Sequence, residues 1–428
     1  MKRTLSALFG AACINLAWAQ SAPPAADEAA QGGNDGWKVS GHVSSLLGWQ
    51  AYNPDSVYGY EGSGTSTSQV SRKVQSVLKV TSPGKYTLVW DGQYDFRPYG
   101  QDKGRVNQFN LSVDLSSSLK MRVGKQRVLW GRGFIYVPTD LINPPIDPSG
   151  LDVAKVGVPA LSFDWVRPDY AVTALVRRER GRLDSVGVKY SPAWKSGLDL
   201  DFIAYHGPST GNAVGASYSI DAEQILHPKL SGLVLFGGWA MHTRSRFPAL
   251  QQGVLANADG SVTQYPAVGA AGAPGRYHSW LLGASYQADG NVLILGELYH
   301  IGDALSKPQL GQVIDALAEK TTLRATLSKP WLNQLSFGRS QRNYFNLSIS
   351  KGPLTEGSSR LTDTFNVEVA SLRNLADHSG MNSLAFISNY WDRSEITLRT
   401  LFPYGRANSE FGSVPYKWYA ELSLKIGF

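Results

Sequence analysis

The chain has 428 residues, 44 Gly, 22 Pro and a single Cys, so it can form neither a disulfide scaffold nor a zinc site built on paired thiolates. Charged residues make up 18%, low against the roughly 25% of soluble domains; 11% aromatic residues and a net charge of +7 exclude disorder of the whole chain. No apolar run reaches the ~18 residues of a membrane-spanning helix, which excludes a helical membrane protein and leaves a membrane β-barrel open.

Met1-Lys2-Arg3 followed by the apolar stretch Leu5 to Ala17 and by Ala17-Trp18-Ala19 predicts a secretory signal peptide over residues 1–19. A lipoprotein signal ending at Cys13 is the competing reading, but Gly10-Ala11-Ala12 lacks the usual Leu. Residues 20–36 are rich in Ala, Pro, Gly, Asp and Glu without periodicity and predict a flexible periplasmic leader. The remainder, 37–428, predicts one barrel.

From residue 86 onward apolar and polar residues alternate with a period of two, which a strand produces and a helix cannot. Tyr86, Leu88, Trp90, Gly92, Tyr94 and Phe96 oppose Asp91, Gln93 and Asp95. Phe109, Leu111, Val113 and Leu115 alternate with Asn110, Ser112 and Asp114. The parity of these strands assigns Asp91, Asp95, Asp114, Lys120 and Arg122 to the lumen, as candidate pore-lining residues. Basic residues concentrate here and beyond, from Lys120, Arg122, Lys125, Arg127 and Arg132 to Arg177, Arg178, Arg180 and Arg182. A ring of such cations in a constriction favours anions; lipopolysaccharide phosphates at the mouth are the alternative partner.

The segment Gly124-Lys125-Gln126 leads through Trp130-Gly131-Arg132-Gly133 to Asp140-Leu141-Ile142-Asn143-Pro144. It resembles a segment of proteobacterial outer-membrane β-barrels, porin-like and alginate-export-like, in which a G-x-Q strand runs into W-G-x-G and then D-x-x-N-P. The resemblance covers about twenty-five residues and implies a passive or polymer-conducting pore. Physically, a connection over 131–157 that carries Phe134, Ile135, Tyr136, Leu141 and Ile142 needs burial. It is expected to fold against or into the barrel and narrow the lumen, with Trp130, Arg132, Tyr136, Asp140 and Asn143 forming the constriction; a loop that merely closes the outer mouth is the alternative. Asp140 and Asn143 can satisfy their own turn.

Further strands are expected near Val172–Val176, Leu198–Ala204, Leu233–Met241, Trp280–Tyr286, Val292–Leu298, Phe345–Ile349, Phe365–Val369 and Ile396–Phe402. Short turns at 82–84, 116–118, 167–169, 288–290, 328–330 and around Asp392 alternate with longer segments at 53–68, 131–157, 243–275, 302–319 and 403–414. Short periplasmic turns and long extracellular loops characterise bacterial barrels. The fold class is therefore all-β, a transmembrane antiparallel barrel of about eighteen strands (sixteen to twenty). Aromatics near strand ends, among them Trp37, Trp49, Trp90, Trp165, Tyr170, Trp331, Trp391 and Trp418, suit two interfacial girdles.

At the C-terminus Tyr416, Trp418, Ala420, Leu422, Leu424, Ile426 and Phe428 share one face. A strand ending on Phe resembles the assembly signal of bacterial outer-membrane barrels, which implies the barrel-assembly machinery as a partner through Tyr416, Trp418, Leu424, Ile426 and Phe428. Outer-membrane lipids, lipopolysaccharide and a homo-oligomer are further expected partners. Nucleic acid, cofactors and a metal site are not expected. His378-Ser379 faintly resembles the pairing of an outer-membrane phospholipase, yet neighbours on a strand point apart, so no enzyme is expected. The leading reading is an outer-membrane channel for small polar solutes or an exported polymer. The alternative is a non-conducting barrel serving as a surface-binding or assembly scaffold.

Overall fold

The computed structural model describes residues 36–57, 68–96, 102–143, 156–179, 182–194, 196–270, 272–320, 322–336, 338–352, 364–389 and 393–428. The expected signal peptide, all of the leader but Gly36, Pro144, Arg180, Trp391, Asp392 and most of the 351–360 turn lie outside the described residues.

Eighteen strands form one antiparallel sheet. In chain order they begin β1 (Lys38–Tyr52), β2 (Ser68–Thr81), β3 (Tyr86–Phe96), β4 (Lys103–Ser116), β5 (Leu119–Gln126) and β6 (Val158–Val166). Then come β7 (Tyr170–Glu179), β8 (Arg182–Pro192), β9 (Leu198–Gly207), β10 (Gly211–Asp221) and β11 (Leu233–Arg244). β12 (Leu250–Ala256) and β13 (Val262–Val268) form a separate hairpin. The barrel resumes with β14 (Pro274–Ala288), β15 (Val292–His300), β16 (Asn343–Lys351), β17 (Phe365–Asn374), β18 (Gly380–Ser388), β19 (Ser394–Tyr404) and β20 (Tyr416–Gly427). Each barrel strand pairs with its sequence neighbours, and β20 pairs with β1 to close the ring. The β12–β13 hairpin lies within the 243–275 segment expected as a long connection. Among the described residues no helix is long and apolar enough to cross a membrane.

Closure removes the sheet's open edges, and the period-two pattern then sorts side chains into a wall and a lumen. The outer face carries exposed Val43, Leu88, Phe109, Val123, Phe163, Val186, Phe202, Trp239, Leu282, Phe345, Leu398 and Ile426. So continuous an apolar belt has no place in water and fits the hydrocarbon of a membrane. Aromatics pack near both ends: Trp165, Tyr170 and Tyr190 contact in series at the short-turn end, and Tyr94 packs on Phe96 at the other.

Two expectations need correction. Tyr416 does not share the outer face of Trp418. Ala51 pairs with Trp418 but Tyr52 with Tyr416, so Lys417 is an extra residue that reverses the parity, and Tyr416 is buried inside with Phe411 and Val414. Nor is 328–330 a turn between strands. It joins the helix Leu323–Ser328 to a 3-10 turn over Lys329–Asn333, inside one connection running from 301 to 342. Trp331 is accordingly not a girdle residue; it is fully buried, and its indole N–H donates to the Pro266 carbonyl at 3.0 Å.

The missed helix had a sequence signature. Ser306 and Gln309 form a capping box, Pro308 sits in the first turn, and Leu310, Val313, Ile314 and Leu317 recur at helical spacing along Lys307–Ala318. With Trp331, Val57 and Leu305 they build a small apolar core beyond the barrel's long-loop end, against Leu250 and Val268 of the β12–β13 hairpin.

Candidate functional site

The connection from β5 to β6, described over 127–143 and 156–157, turns into the lumen. Its entry depends on Gln126, whose amide donates to the Ala160 carbonyl (2.9 Å) and accepts from the Ser162 hydroxyl (3.0 Å). Asn143 then stands in for a strand partner of Val128: its side-chain oxygen accepts the Val128 N–H (3.1 Å) and its amide donates to the Val128 carbonyl. Asp140 accepts from the Asn143 amide at 2.7 Å and from its backbone N–H at 3.3 Å. Aspartate and asparagine three apart thus tie both feet of the loop together.

The two glycines of Trp130-Gly131-Arg132-Gly133 have steric reasons. Both have positive φ, +106° and +146°. A Cβ on Gly131 would overlap the Thr139 hydroxyl, and one on Gly133 would overlap the Tyr136 carbonyl and approach Leu281 to 2.7 Å. The Thr139 hydroxyl donates to the Trp130 carbonyl at 3.0 Å, closing the turn.

The loop hugs half of the inner wall. Trp130, Leu141 and Ile142 bury against Leu175, Ile203, Tyr205 and Ala213 of β7, β9 and β10. Phe134 meets Phe236 of β11 edge to face, and Tyr136 stacks on Tyr299 of β15, which stacks on Tyr344 of β16. At the tip the Phe134 and Ile135 N–H groups donate to the two carboxylate oxygens of Glu297, at 2.6 and 3.0 Å. Glu297 lies on β15, eight strands from β5 around a ring of eighteen. The tip is therefore anchored almost diametrically opposite the loop's origin.

Of the residues expected to form the constriction, the structure makes most anchors. Trp130 and Tyr136 are buried against the wall and Asn143 between the loop's feet, because a loop crossing a water-filled lumen must first bury its apolar groups. Arg132 is partly exposed and lies 3.4 Å from Asp199 and 4.0 Å from Asp201 of β9. Asp140 is half-buried, its carbonyl accepting from Arg246 at 3.3 Å.

The residues expected to line the pore all lie on the lumen face, but not all meet water. Lys120 pairs with Asp114 (3.3 Å) and both stay exposed; Arg122 lies 3.8 Å from Asp164. Asp95 accepts from Gln93 at 2.6 Å. Asp91 is the correction: only 1% exposed, it sits beneath Arg127, Gln75 and Asn107 and braces the wall instead of lining it. A bulge at Asn107, between Gln108 and Val106 in the pairing with β3, turns that amide onto it. Lys125, read with the basic cluster, faces outward beside Phe109 and Pro159. Arg127, Arg132, Lys120 and Arg122 each face an acid, so among the described residues these four form no unopposed ring of cations.

Sequence reasoning gave no sign of the task of Glu297, and it missed Glu410. Glu410 lies in the connection 405–415. It accepts from the Gly338 and Ser340 N–H groups (2.9 and 3.2 Å), the Tyr344 hydroxyl (2.8 and 2.9 Å) and the Asn374 amide (2.6 Å). Three long-end connections are thereby latched on one carboxyl. Burial pushes its pKa up to about 8 against those donors, with the nearby Asp377 adding to the rise. Asp303, in the same 301–342 connection, behaves oppositely: burial opposes its charge, but Arg246 and His242 hold its carboxyl below the ordinary value.

A carboxyl whose folded pKa lies above its unfolded value stabilises the fold fully below the unfolded pKa and ceases to do so as pH rises through the folded one. The latch is thus expected to loosen as pH climbs through about 8. Amide exchange at Gly338 and Ser340 should accelerate beyond the intrinsic rate as pH rises from about 5 to about 8 and level off above that, and Glu410→Gln should flatten that dependence.

The His378–Ser379 pair does not assemble. The Ser379 hydroxyl donates to Asp377 at 2.6 Å and accepts the Phe411 N–H at 3.2 Å, while His378 occupies a turn with φ +62°.

No family model matches the chain, and no curated protein sequence matches it. Solved structures do match in fold. OccAB1 of Acinetobacter baumannii is 12% identical, with a TM-score of 0.53 over 91% of this chain and 96% of that one. OccK5 (OpdH) of Pseudomonas aeruginosa is 10% identical, with a TM-score of 0.54 over 93% and 99%. The outer membrane protein OprD of Pseudomonas aeruginosa is 9% identical, with a TM-score of 0.50 over 93% and 95%. The architecture is that of outer-membrane porins.

Proposed function

We propose that the chain is an outer-membrane channel for small polar solutes. The observation that carries this reading is the lumen loop pinned to Glu297, which packs along the inner wall from β7 to β16 of an eighteen-stranded barrel. A barrel of this width exceeds what wall side chains alone can fill. The inner faces of β1, β2 and β20 carry half-buried polar groups, among them His42, Ser44, Gln50, Lys73, Gln75, Lys79, Ser423 and Lys425. The opposite half is dry: Phe236, Leu281, Leu295, Tyr299, Tyr344 and Leu372 all point inward and are buried under loops. Narrowing of this kind favours small solutes over an exported polymer. The exposed apolar belt supports the outer membrane as location, with residues 1–19 as export signal, 20–36 as periplasmic leader, and Trp418, Leu424, Ile426 and Phe428 as the face read by the assembly machinery.

Liposome swelling checks the reading. Proteoliposomes should admit glycine and small sugars and exclude long oligosaccharides. Vesicles that exclude every solute would leave the non-conducting scaffold as the better account.

A further inference from the structure

We propose that the outer wall carries a site for one membrane lipid with a net-anionic phosphate headgroup, its acyl chain in a trough across β9, β10, β11 and β14 and its phosphate in a polar basin above. This rests on the membrane-spanning reading just given.

The trough comes from a run of unequal neighbours. Along one outward row the register places Phe202, Ala216, Trp239 and Trp280 side by side, so a single methyl group separates two large aromatic walls. One row toward the short-turn end, Tyr218 lies over Gly237, where a Cβ would come within 2.8 Å of its ring. Leu200 and Leu282 complete an apolar hollow of about 390 Å³. It faces hydrocarbon, and its form suits a flexible chain laid along the wall.

Toward the long-loop end a second hollow, of about 320 Å³, opens on the same wall. Only the outward row of Ala204, Val214 and Met241 separates the two, about 7 Å along the strands. The basin's polar side chains are Asp184, His206, Asn212, Thr243 and Arg244. Arg244 donates from Nη1 to the Pro208 carbonyl at 3.1 Å, which places a guanidinium with further N–H donors in the basin. His206 Nδ1 lies 2.7 Å from the Asn212 side-chain oxygen, and the Asn212 N–H donates to the Thr243 hydroxyl at 2.9 Å. His278 stacks on Trp239 from the next row toward the long loops, and His300 stacks on Trp280 beside the trough in the same row.

One acid, Asp184, thus meets an arginine and the His206 imidazole above an apolar trough. That is the complement of an anionic head on an acyl chain, and a phosphate monoester or diester suits a guanidinium fork. A free anion would have no use for the trough. A second barrel would bring an apolar wall to the basin and strand its polar groups.

Native mass spectrometry of the full chain in detergent tests the site, with equimolar dioleoyl phosphatidylglycerol and phosphatidylcholine and, separately, inorganic phosphate. One phosphatidylglycerol should be retained about tenfold over phosphatidylcholine, the scale of one charge-assisted contact. Ala216→Trp, which fills the trough, should abolish retention, and Arg244→Gln should erase the preference; single-channel conductance should stay unchanged in both. Equal retention of both lipids, unaffected by either substitution, would overturn the proposal. So would phosphate binding that survives Ala216→Trp without lipid, which would assign the basin to a free anion, or a dimer that Ala216→Trp disrupts. A chain that conducts normally yet holds no lipid refutes this site alone; a chain that never inserts refutes the membrane reading.

Discussion

Glu297→Ala should enlarge the channel. The carboxylate takes the backbone N–H groups of Phe134 and Ile135 on its two oxygens and is itself buried, with the Asn346 side chain bonded to it. Removing it leaves two buried donors unmatched, at about 1–3 kcal/mol each, so the tip loses roughly 2–6 kcal/mol of anchorage. The stacking of Tyr136 on Tyr299 cannot hold the turn alone, because aromatic pairs contribute about 0.5–1.5 kcal/mol beyond their burial. In planar bilayers the variant is expected to show a larger main step and frequent excursions above it. Glu297→Gln keeps one acceptor and should fall between. Unchanged conductance and noise in both would mean that the tip does not bound the path.

Trp130→Ala should cost more stability than any other single change in the loop. The indole is 4% exposed, packed with Leu141, Ile142, Leu175 and Tyr205, and its outer ring covers Gly187, where an added Cβ would come within 2.8 Å. Large-to-small changes at such sites cost about 3–5 kcal/mol. The strands would persist, so the loss should appear as protease cleavage near residues 131–140 and a lower unfolding temperature in micelles, with Trp130→Phe milder. Resistance equal to wild type would remove the loop's principal anchor from the account.

The barrel was legible because its alternation is dictated by two solvents: lipid outside rejects charge, and the lumen accepts it. Leu422, Leu424 and Ile426 could hardly lie elsewhere, and the parity of Lys120 and Arg122 followed from the same rule. Parity fails where one residue is inserted, and neither Lys417 nor Asn107 carries a composition signal for its bulge. The inward folding of residues 131–143 was legible from their apolar side chains, whereas their division into anchors and lining was not. That depends on contacts such as Phe134 with Glu297, 163 residues apart. The Lys307–Ala318 helix is legible in its spacing, but a long segment between strands predicts only a loop over 302–319.

The claim that water follows one half of the lumen is tested most directly by cysteine modification during single-channel recording, with Cys13 replaced by Ser. A membrane-impermeant cationic thiol reagent should step down the current of Lys73→Cys on the inner face of β2. It should leave Leu372→Cys, buried under the loops on β17, and Leu398→Cys, facing outward on β19, unmodified. Modification of Leu372→Cys as fast as Lys73→Cys would contradict the account.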